Sequence, residues 1–454
     1  MMLHPMLPRA LAFAGALLLL TGFAPRPAEA VVVEKVTSPM GIEAWYVRDA
    51  TLPVLSIEFS VKGGSAYDPA GKAGLADLVA STMDEGAGTL DSQAFQGRLQ
   101  DLSLTLNFSA GDDTFRGSFR ALTAYQDEAL DLLRLALTQP RFDPEPVERI
   151  RAQIRQGLER RQNDPDSILG DVFARVMYGS HPYGSTSRQQ LSALDTITAD
   201  DLRGFMRERF VRDRLYIGVV GNISAQELGS ILDKVFGTLP VSDAPLDLAD
   251  ATLPQTGQTL VVQAPVPQSS AAFGAPGVKR ADPDYYAAYV MNFILGGGGF
   301  VSRLTEEVRE KRGLAYSVYS YLSPRDAAGS IVGGVGTQNG RMKESLDVIR
   351  VEWKRMGEEG PTEAELASAK SYLTGSFPLS FSSSGAIARM LVGMQYSDLG
   401  IDYLDRYPGL IDAVTLDDVK RVAARLLDPA KLTVVVVGQP AGVEATAPTP
   451  DLGG

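Results

Sequence analysis

The chain is 454 residues long, 44% hydrophobic and 22% charged, with a formal net charge of −12. That length favours two domains over one, and the composition is that of a globular protein able to bury a large core. The acidic excess argues against nucleic acid as a partner, because phosphate binding needs clustered Lys and Arg; the lack of any Cys removes disulfides, a thiol nucleophile and a lipoprotein anchor together.

Residues 1–30 read as a signal peptide. Arg9 supplies the positive n-region, LAFAGALLLLTGFA (residues 11–24) is an apolar stretch too short to span a bilayer comfortably, and AEA (residues 28–30) is a small-x-small cleavage site. The mature chain is expected to start near Val31 in a bacterial periplasm, with no stable membrane insertion after cleavage, since no later apolar run reaches spanning length. His4 falls in the leader, so His181 is the one histidine of the mature chain. Zinc sites draw mainly on His and Cys, so no cofactor, and no self-contained catalytic zinc, is expected in this chain.

Beyond the leader, LSIEFSV (residues 55–61) alternates Leu55, Ile57, Phe59 and Val61 with Ser56, Glu58 and Ser60, the pattern of a strand with one packed and one polar face. In GLADLVASTMDEGAGT (residues 74–89), Leu75, Leu78, Val79, Thr82 and Met83 form an apolar stripe at helical spacing, with Asp77 and Ser81 on another face. LSLTLNF (residues 102–108) alternates as a second strand, and ALTAYQDEALDLLRLALTQ (residues 121–139) reads as helical. His181, in SHPYGS beside a proline, is expected to be a structural loop residue, because one histidine without a partner builds no zinc site.

Residues 197–222 align without gaps on residues 414–439. Thr198 matches Thr415, Asp200 and Asp201 match Asp417 and Asp418, and the strand end Val219-Val220-Gly221 matches Val436-Val437-Gly438. The same separation of 217 residues, that of Thr198 from Thr415, sets Pro144 on Pro361, Glu148 on Glu365 and Ala152 on Ala369. A repeat this long means two copies of one domain. In each copy the threonine is a helix N-cap, acidic residues occupy the first turn, and an apolar strand ending in glycine follows. The expected fold class is α+β, with two homologous domains, each a mainly antiparallel sheet with helices packed on one face. The expected boundaries are 31–240 and 260–440, with a Pro-, Asp- and Thr-rich linker at 241–259 and a flexible tail at 441–454.

In the second copy, ILGGGGFVSRLTEEVREKRGLAYSVYSYL (residues 294–322) joins Gly296, Gly297, Gly298 and Gly299 to a charged helix carrying Arg309 and a β-prone run opening at Tyr316. No Gly-Lys-Ser/Thr follows the glycines, so they do not form a phosphate loop, yet they permit close approach of a peptide backbone.

The glycine loop, with an Arg followed seven residues later by a Tyr, resembles a signature of the pitrilysin-type (M16) zinc peptidases. The resemblance spans about residues 33–439 and implies a clamshell of two homologous domains. In active members the first-domain helix carries His-x-x-Glu-His, with a third ligand, Glu, on a later helix. Here those positions read Asp77, Ala80 and Ser81, with Gly157 in place of the third ligand. The resemblance therefore implies a degenerate zinc site and a retained substrate-binding set: Arg309, Tyr316 and Gly296 to Gly299. It implies a non-catalytic subunit of a periplasmic heterodimeric metallopeptidase, inactive alone, whose homologous partner bears the zinc motif and whose substrate is a peptide. The alternative is a peptide-binding or scaffold protein of the same fold without hydrolysis.

Overall fold

The computed structural model describes residues 31–242 and 244–453, so the expected signal segment, residues 1–30, lies outside the described residues. The first half runs β1 (Glu34–Thr37), β2 (Glu43–Arg48), β3 (Val54–Lys62), α1 (Leu75–Ala80), α2 (Ser92–Asp101), β4 (Thr105–Ala110), β5 (Thr114–Leu122), α3 (Gln126–Thr138), α4 (Pro144–Arg161), α5 (Pro165–Tyr178), α6 (Ser187–Ala193), α7 (Ala199–Arg209), β6 (Leu215–Gly221) and α8 (Ala225–Phe236). The second runs β7 (Thr259–Gln263), β8 (Gln268–Pro276), α9 (Tyr285–Asn292), β9 (Ser317–Arg325), β10 (Ala328–Gln338), α10 (Met342–Glu359), α11 (Glu363–Ser376), α12 (Ser384–Tyr396), α13 (Tyr403–Asp412), α14 (Leu416–Leu426) and β11 (Thr433–Gly438).

The repeat seen in sequence is a repeat of topology. Sheet 1 has the order β1-β2-β6-β3-β5-β4 and sheet 2 the order β7-β11-β8-β10-β9. In each, one pair is parallel (β2 with β6, β7 with β11) and the rest antiparallel. The inner face of sheet 1 buries Leu55, Ile57, Phe59, Phe115 and Phe119 against its own helices. That of sheet 2 buries Phe273, Ile331 and Val335 with Trp353 of α10. Each such side chain contributes about 1.5–3 kcal/mol on leaving water. Both predicted N-caps form reciprocal capping boxes, Thr198 with Asp201 and Thr415 with Asp418.

The helices are not confined to one face. Ser56, Glu58 and Ser60, the expected polar face of β3, are buried at 1%, 8% and 2% exposure. They lie under α12, which crosses from the second half and packs on β3 and β6. The approach is close enough that a Cβ on Gly218 would sit 2.1 Å from the Ala388 carbonyl oxygen. The reciprocal helix of the first half, α5, packs on β8 and β11 of sheet 2. Val172, Phe173 and Met177 there join Leu260 and Val435 in a third core. Each sheet is thus covered by its own helices on one side and by a helix of the other half on the other.

Four local expectations are corrected. The helix of residues 74–88 is only α1; its apolar stripe is buried, but the chain turns after Ala80. Thr82 donates its hydroxyl back to the Leu78 carbonyl (2.6 Å), and the polar sequence through Gly86 does not extend the helix. Residues 102–104 connect α2 to β4 rather than opening the strand, although Leu102, Leu104 and Leu106 are all buried. Ala121 and Leu122 complete β5, and the helix begins at Gln126. The tail is not free: the Thr446 amide donates to the Thr259 carbonyl (2.8 Å), the Thr186 hydroxyl donates to the Leu452 carbonyl (2.6 Å), and Leu452 packs into the third core. Ala447 and Leu452 are the apolar anchors that hold it across both halves.

Candidate functional site

Gly74, whose φ of +90° favours glycine, caps the start of α1, and Asp68 accepts the amides of Gly74 (3.0 Å) and Ala76 (3.1 Å). Burial pushes the Asp68 carboxyl up to about 7, against the pull of those amides. Among the four predicted positions, only Asp77 offers a carboxylate. Burial raises its pKa, the Arg161 charge on α4 draws it down, and Asp112 adds to the rise. Ala80 presents a methyl group. Ser81 is exposed and donates its hydroxyl to the Asp77 carbonyl of its own helix (2.8 Å). Gly157, on α4, has no side chain to offer. A tetrahedral zinc site with three protein ligands does not fit this donor set. Among the described residues, no group of three or more His, Cys, Asp or Glu is placed to hold a metal ion.

His181 is fixed as a loop residue. Its Nδ1 accepts the Tyr183 amide (3.2 Å), which leaves Nε2–H to donate to the Ala249 carbonyl (2.9 Å) in the linker.

The second-half residues do assemble. Arg309 lies in a wide helical turn at residues 305–310 rather than in a regular α-helix. The chain then reverses at Gly313 (φ +59°), whose amide donates to the Arg309 carbonyl (2.8 Å). Leu314 and Ala315 bury themselves, and Tyr316 emerges just before β9. The reversal brings the Arg309 guanidinium 4.6 Å from the centre of the Tyr316 ring and 4.7 Å from that of Phe300. Tyr316 is 83% exposed and Phe300 68%. Glu310 approaches Arg309 at 3.2 Å, so the guanidinium is held between two rings and an exposed carboxylate.

Three of the four glycines are required by close approach. A Cβ on Gly296 would meet Ser320 Oγ of β9 at 2.4 Å, one on Gly297 would meet Asn292 Nδ2 of α9 at 2.9 Å, and one on Gly298 would meet the Phe293 carbonyl oxygen at 2.9 Å, so the loop lies tightly between α9 and β9. Gly299 is exposed, with open space around it, and carries the chain outward to Phe300. β9 is the free edge of sheet 2, and Tyr319 and Tyr321 stack along its outward face, 6.2 Å between centres. The result is an exposed aromatic surface beside a sheet edge that no further strand covers among the described residues, although the Asn292 side chain donates to the Ser320 carbonyl (3.2 Å) at its start; a sheet edge is a form that accepts extended polypeptide. Asp77, Ala80, Ser81 and Gly157 are held by different elements in the other half.

A further cluster was not singled out from sequence. The turn between β4 and β5 carries Asp113, and the equivalent turn between β9 and β10 carries Asp326; the two tips meet. Asp113 accepts the Asp326 amide (3.2 Å) and the Tyr183 hydroxyl; Asp326 accepts the Tyr396 hydroxyl (2.6 Å) and faces Lys62 at 3.6 Å. Burial pushes the Asp113 carboxyl up, with the Tyr183 bond opposing. The only sequence signal was the matching place of both acids in hairpin turns of the repeat.

A family model described as "Peptidase M16 inactive domain" matches residues 196–373, and one described as "Insulinase (Peptidase family M16)" matches residues 45–189. The chain is 27% identical over 335 residues to a "Non-peptidase homolog YmxG" of Helicobacter pylori, covering 74% of this chain and 77% of the relative. It is 23% identical over 401 residues to an "Uncharacterized zinc protease YmxG" of Bacillus subtilis, covering 87% and 96%. A solved structure of a peptidase M16 inactive domain from Pseudomonas fluorescens superposes with a TM-score of 0.84 at 27% identity, covering 92% of this chain and 100% of that one.

Proposed function

The chain belongs to peptidase family M16 as an inactive, non-peptidase homologue, and from that premise we propose that it is the substrate-binding subunit of a heterodimeric zinc peptidase of the periplasm. Its partner would be a homologous chain that carries the zinc motif and holds the metal. The observation that carries this reading is the Arg309–Tyr316 pair, stacked at 4.6 Å on an exposed surface, in a chain whose α1 offers one carboxylate and no imidazole. Arg309 presents a fork of donors to a peptide carbonyl or carboxylate. The Tyr316 hydroxyl is free to donate to a carbonyl oxygen as negative charge builds on it. The free edge of β9 offers main-chain partners to an extended peptide. Among the described residues, no helix is long and apolar enough to cross a membrane.

The test is recovery of the C-terminally tagged chain from its own cells, with zinc and peptide hydrolysis measured in the fraction. The expected result is a near-stoichiometric, zinc-loaded homologue whose turnover of peptides falls on Arg309→Ala or Tyr316→Phe in this chain, roughly 10²-fold for loss of an oxyanion donor. A lone, zinc-free chain that binds peptides and hydrolyses none would replace the subunit reading with that of a peptide-binding protein.

A further inference from the structure

A cavity of about 840 Å³ lies between the two halves, apart from the Arg309 surface. Its walls come from the outward face of sheet 1 (Glu58, Arg116), from α12 (Arg389, Tyr396) and from the segment after β8 (Lys279, Arg280). That volume falls within the ordinary range of small-molecule sites, roughly 300–1,000 Å³.

The charges in this cavity do not cancel in pairs. Lys62 faces Asp326 at 3.6 Å, Lys279 faces Asp250 at 2.5 Å, and Arg325 faces Asp112 at 3.1 Å. Three guanidiniums are left. Arg116 has no carboxylate within 4.0 Å among the described residues; its Nε donates only to the Thr114 hydroxyl, 3.3 Å away. Arg280 has none either. Its guanidinium lies 4.0 Å from the centre of the Tyr285 ring and donates to the hydroxyls of Tyr286 (3.1 Å) and Tyr403 (3.4 Å), which orient it without neutralising it. Arg389 reaches one carboxylate, Glu58, at 3.4 Å, and the same Glu58 oxygen already accepts the Ser118 hydroxyl at 2.9 Å. Two further carboxylates line the cavity, Asp113, which accepts the Tyr183 hydroxyl and the Asp326 amide, and Asp398, so the three guanidiniums share one concave space with these two acids and Glu58.

We propose that this cavity binds a small ligand through its carboxylate, either a free dicarboxylate or the C-terminus of a short peptide, with Arg116, Arg280 and Arg389 as the recognising groups. A planar carboxylate matches the guanidinium fork, and each charge-assisted pair is stronger than a neutral hydrogen bond. Glu58 beside the guanidiniums disfavours the concentrated charge of a phosphate dianion. The site joins both halves, since Arg116 comes from sheet 1 and Arg280 and Arg389 come from the second half, so an occupant would tie them together.

Calorimetric titration of the purified chain at low ionic strength tests the proposal with four probes: glutarate, N-acetyl-tetra-alanine with a free C-terminus, the same peptide amidated, and inorganic phosphate. The expected result is saturable binding of glutarate, of the free-acid peptide, or of both, with neither the amide nor phosphate binding comparably. Arg116→Gln combined with Arg389→Gln should weaken binding by roughly tenfold or more for each charged bond lost. Arg116→Lys, which keeps the charge on an exposed strand position, should recover only part of it. Glutarate alone would identify a free dicarboxylate; the acid peptide alone would identify a peptide terminus. Absence of binding by both, equal binding of the amide, or affinity unchanged in a folded Arg116→Gln, Arg389→Gln chain would overturn the proposal. Recovery of a zinc-loaded homologue with the tagged chain bears on the subunit reading alone, which keeps a failure of that reading distinct from a failure here.

Discussion

Apart from the extra edge strand β1 of sheet 1, the two sheets share a strand order, and each is crossed by a helix from the other half, but their outward faces are built differently. On sheet 1 the face carries Ser56, Glu58, Ser60, Arg116 and Gly218, and α12 descends on it through a glycine that admits backbone against backbone. On sheet 2 the face carries Ala272, Gly274, Val332 and Val435, and α5 meets it with Val172, Phe173 and Met177. One interface is a close approach with polar flanks, and the other is a small apolar core. The same exchange of helices is thus held by two chemistries. The polar one leaves room for a charged cavity at its margin, and the apolar one leaves β9 and its tyrosines open at the far edge of sheet 2.

If this contrast is right, the apolar side is the more costly to damage. Phe173→Ala is expected to destabilise the chain by about 3–5 kcal/mol, through lost burial and the cavity left behind. Urea unfolding would measure it, and a loss below about 1 kcal/mol would show that α5 is not held by this core. On the polar side, Gly218→Ala is expected to cost about 1–3 kcal/mol, because backbone at Ala388 has to move. Unchanged stability there would mean that α12 rides loosely on sheet 1.

Much of this was legible in the sequence. The constant spacing of Thr198 and Thr415 disclosed the duplication, because caps and strand ends are written in adjacent residues. The Arg309–Tyr316 pair was legible only through its resemblance to a family signature; in the fold, seven residues and one glycine turn bring the two together. The exchange of helices was not. The burial pattern of α5 says that one face is covered, but amphipathicity does not say by which sheet. The alternation Ser56, Glu58, Ser60 reads as solvent-facing until a helix from the distant half of the chain is laid over it. The cavity was hidden likewise, since Arg116, Arg280 and Arg389 are far apart in the chain and share no motif. The short α1 was overread because Thr82 and Met83 keep helical spacing after the helix has ended.

The repeat also differs in how it holds one acid. Glu365 is equivalent to Glu148, but Arg303 grips Glu365 through two bonds, 2.6 and 2.8 Å, whereas Glu148 is largely exposed and meets Arg151 at 3.1 Å. Burial alone would raise the Glu365 carboxyl, but the bonds from Arg303 and Thr362 prevail and lower it from 4.5 to about 2. A folded-state pKa below the unfolded one contributes stability that is present above about 4.5 and lost as pH falls towards 2. Discounted for the water that reaches this carboxyl, that is about 1–2 kcal/mol. Glu365→Gln should flatten the acid limb of stability against pH. An unchanged acid limb in that variant would mean that the Arg303 grip on Glu365 does not hold in solution.

The smallest expected effect is the one that should not separate the halves. Thr198 and Thr415 make the same capping box, with hydroxyl-to-amide distances of 3.2 and 3.1 Å. Each helix runs from there into a strand at the same place in its sheet, β6 or β11. Replacing either threonine by alanine removes one accepted amide and one half of the reciprocal pair, at a cost of about 1 kcal/mol. The two single variants should therefore lower the urea midpoint by similar amounts, and the double variant by their sum, since the caps share no partner. A markedly larger loss at Thr198 would point to its neighbours: Asp201, the acid of that box, also binds Lys72 at 2.9 Å and so ties the helix start to the approach of α1. Asp418 instead reaches Arg421 of its own helix at 3.3 Å. The ratio of the two losses thus measures how far the first cap depends on the segment that leads into α1.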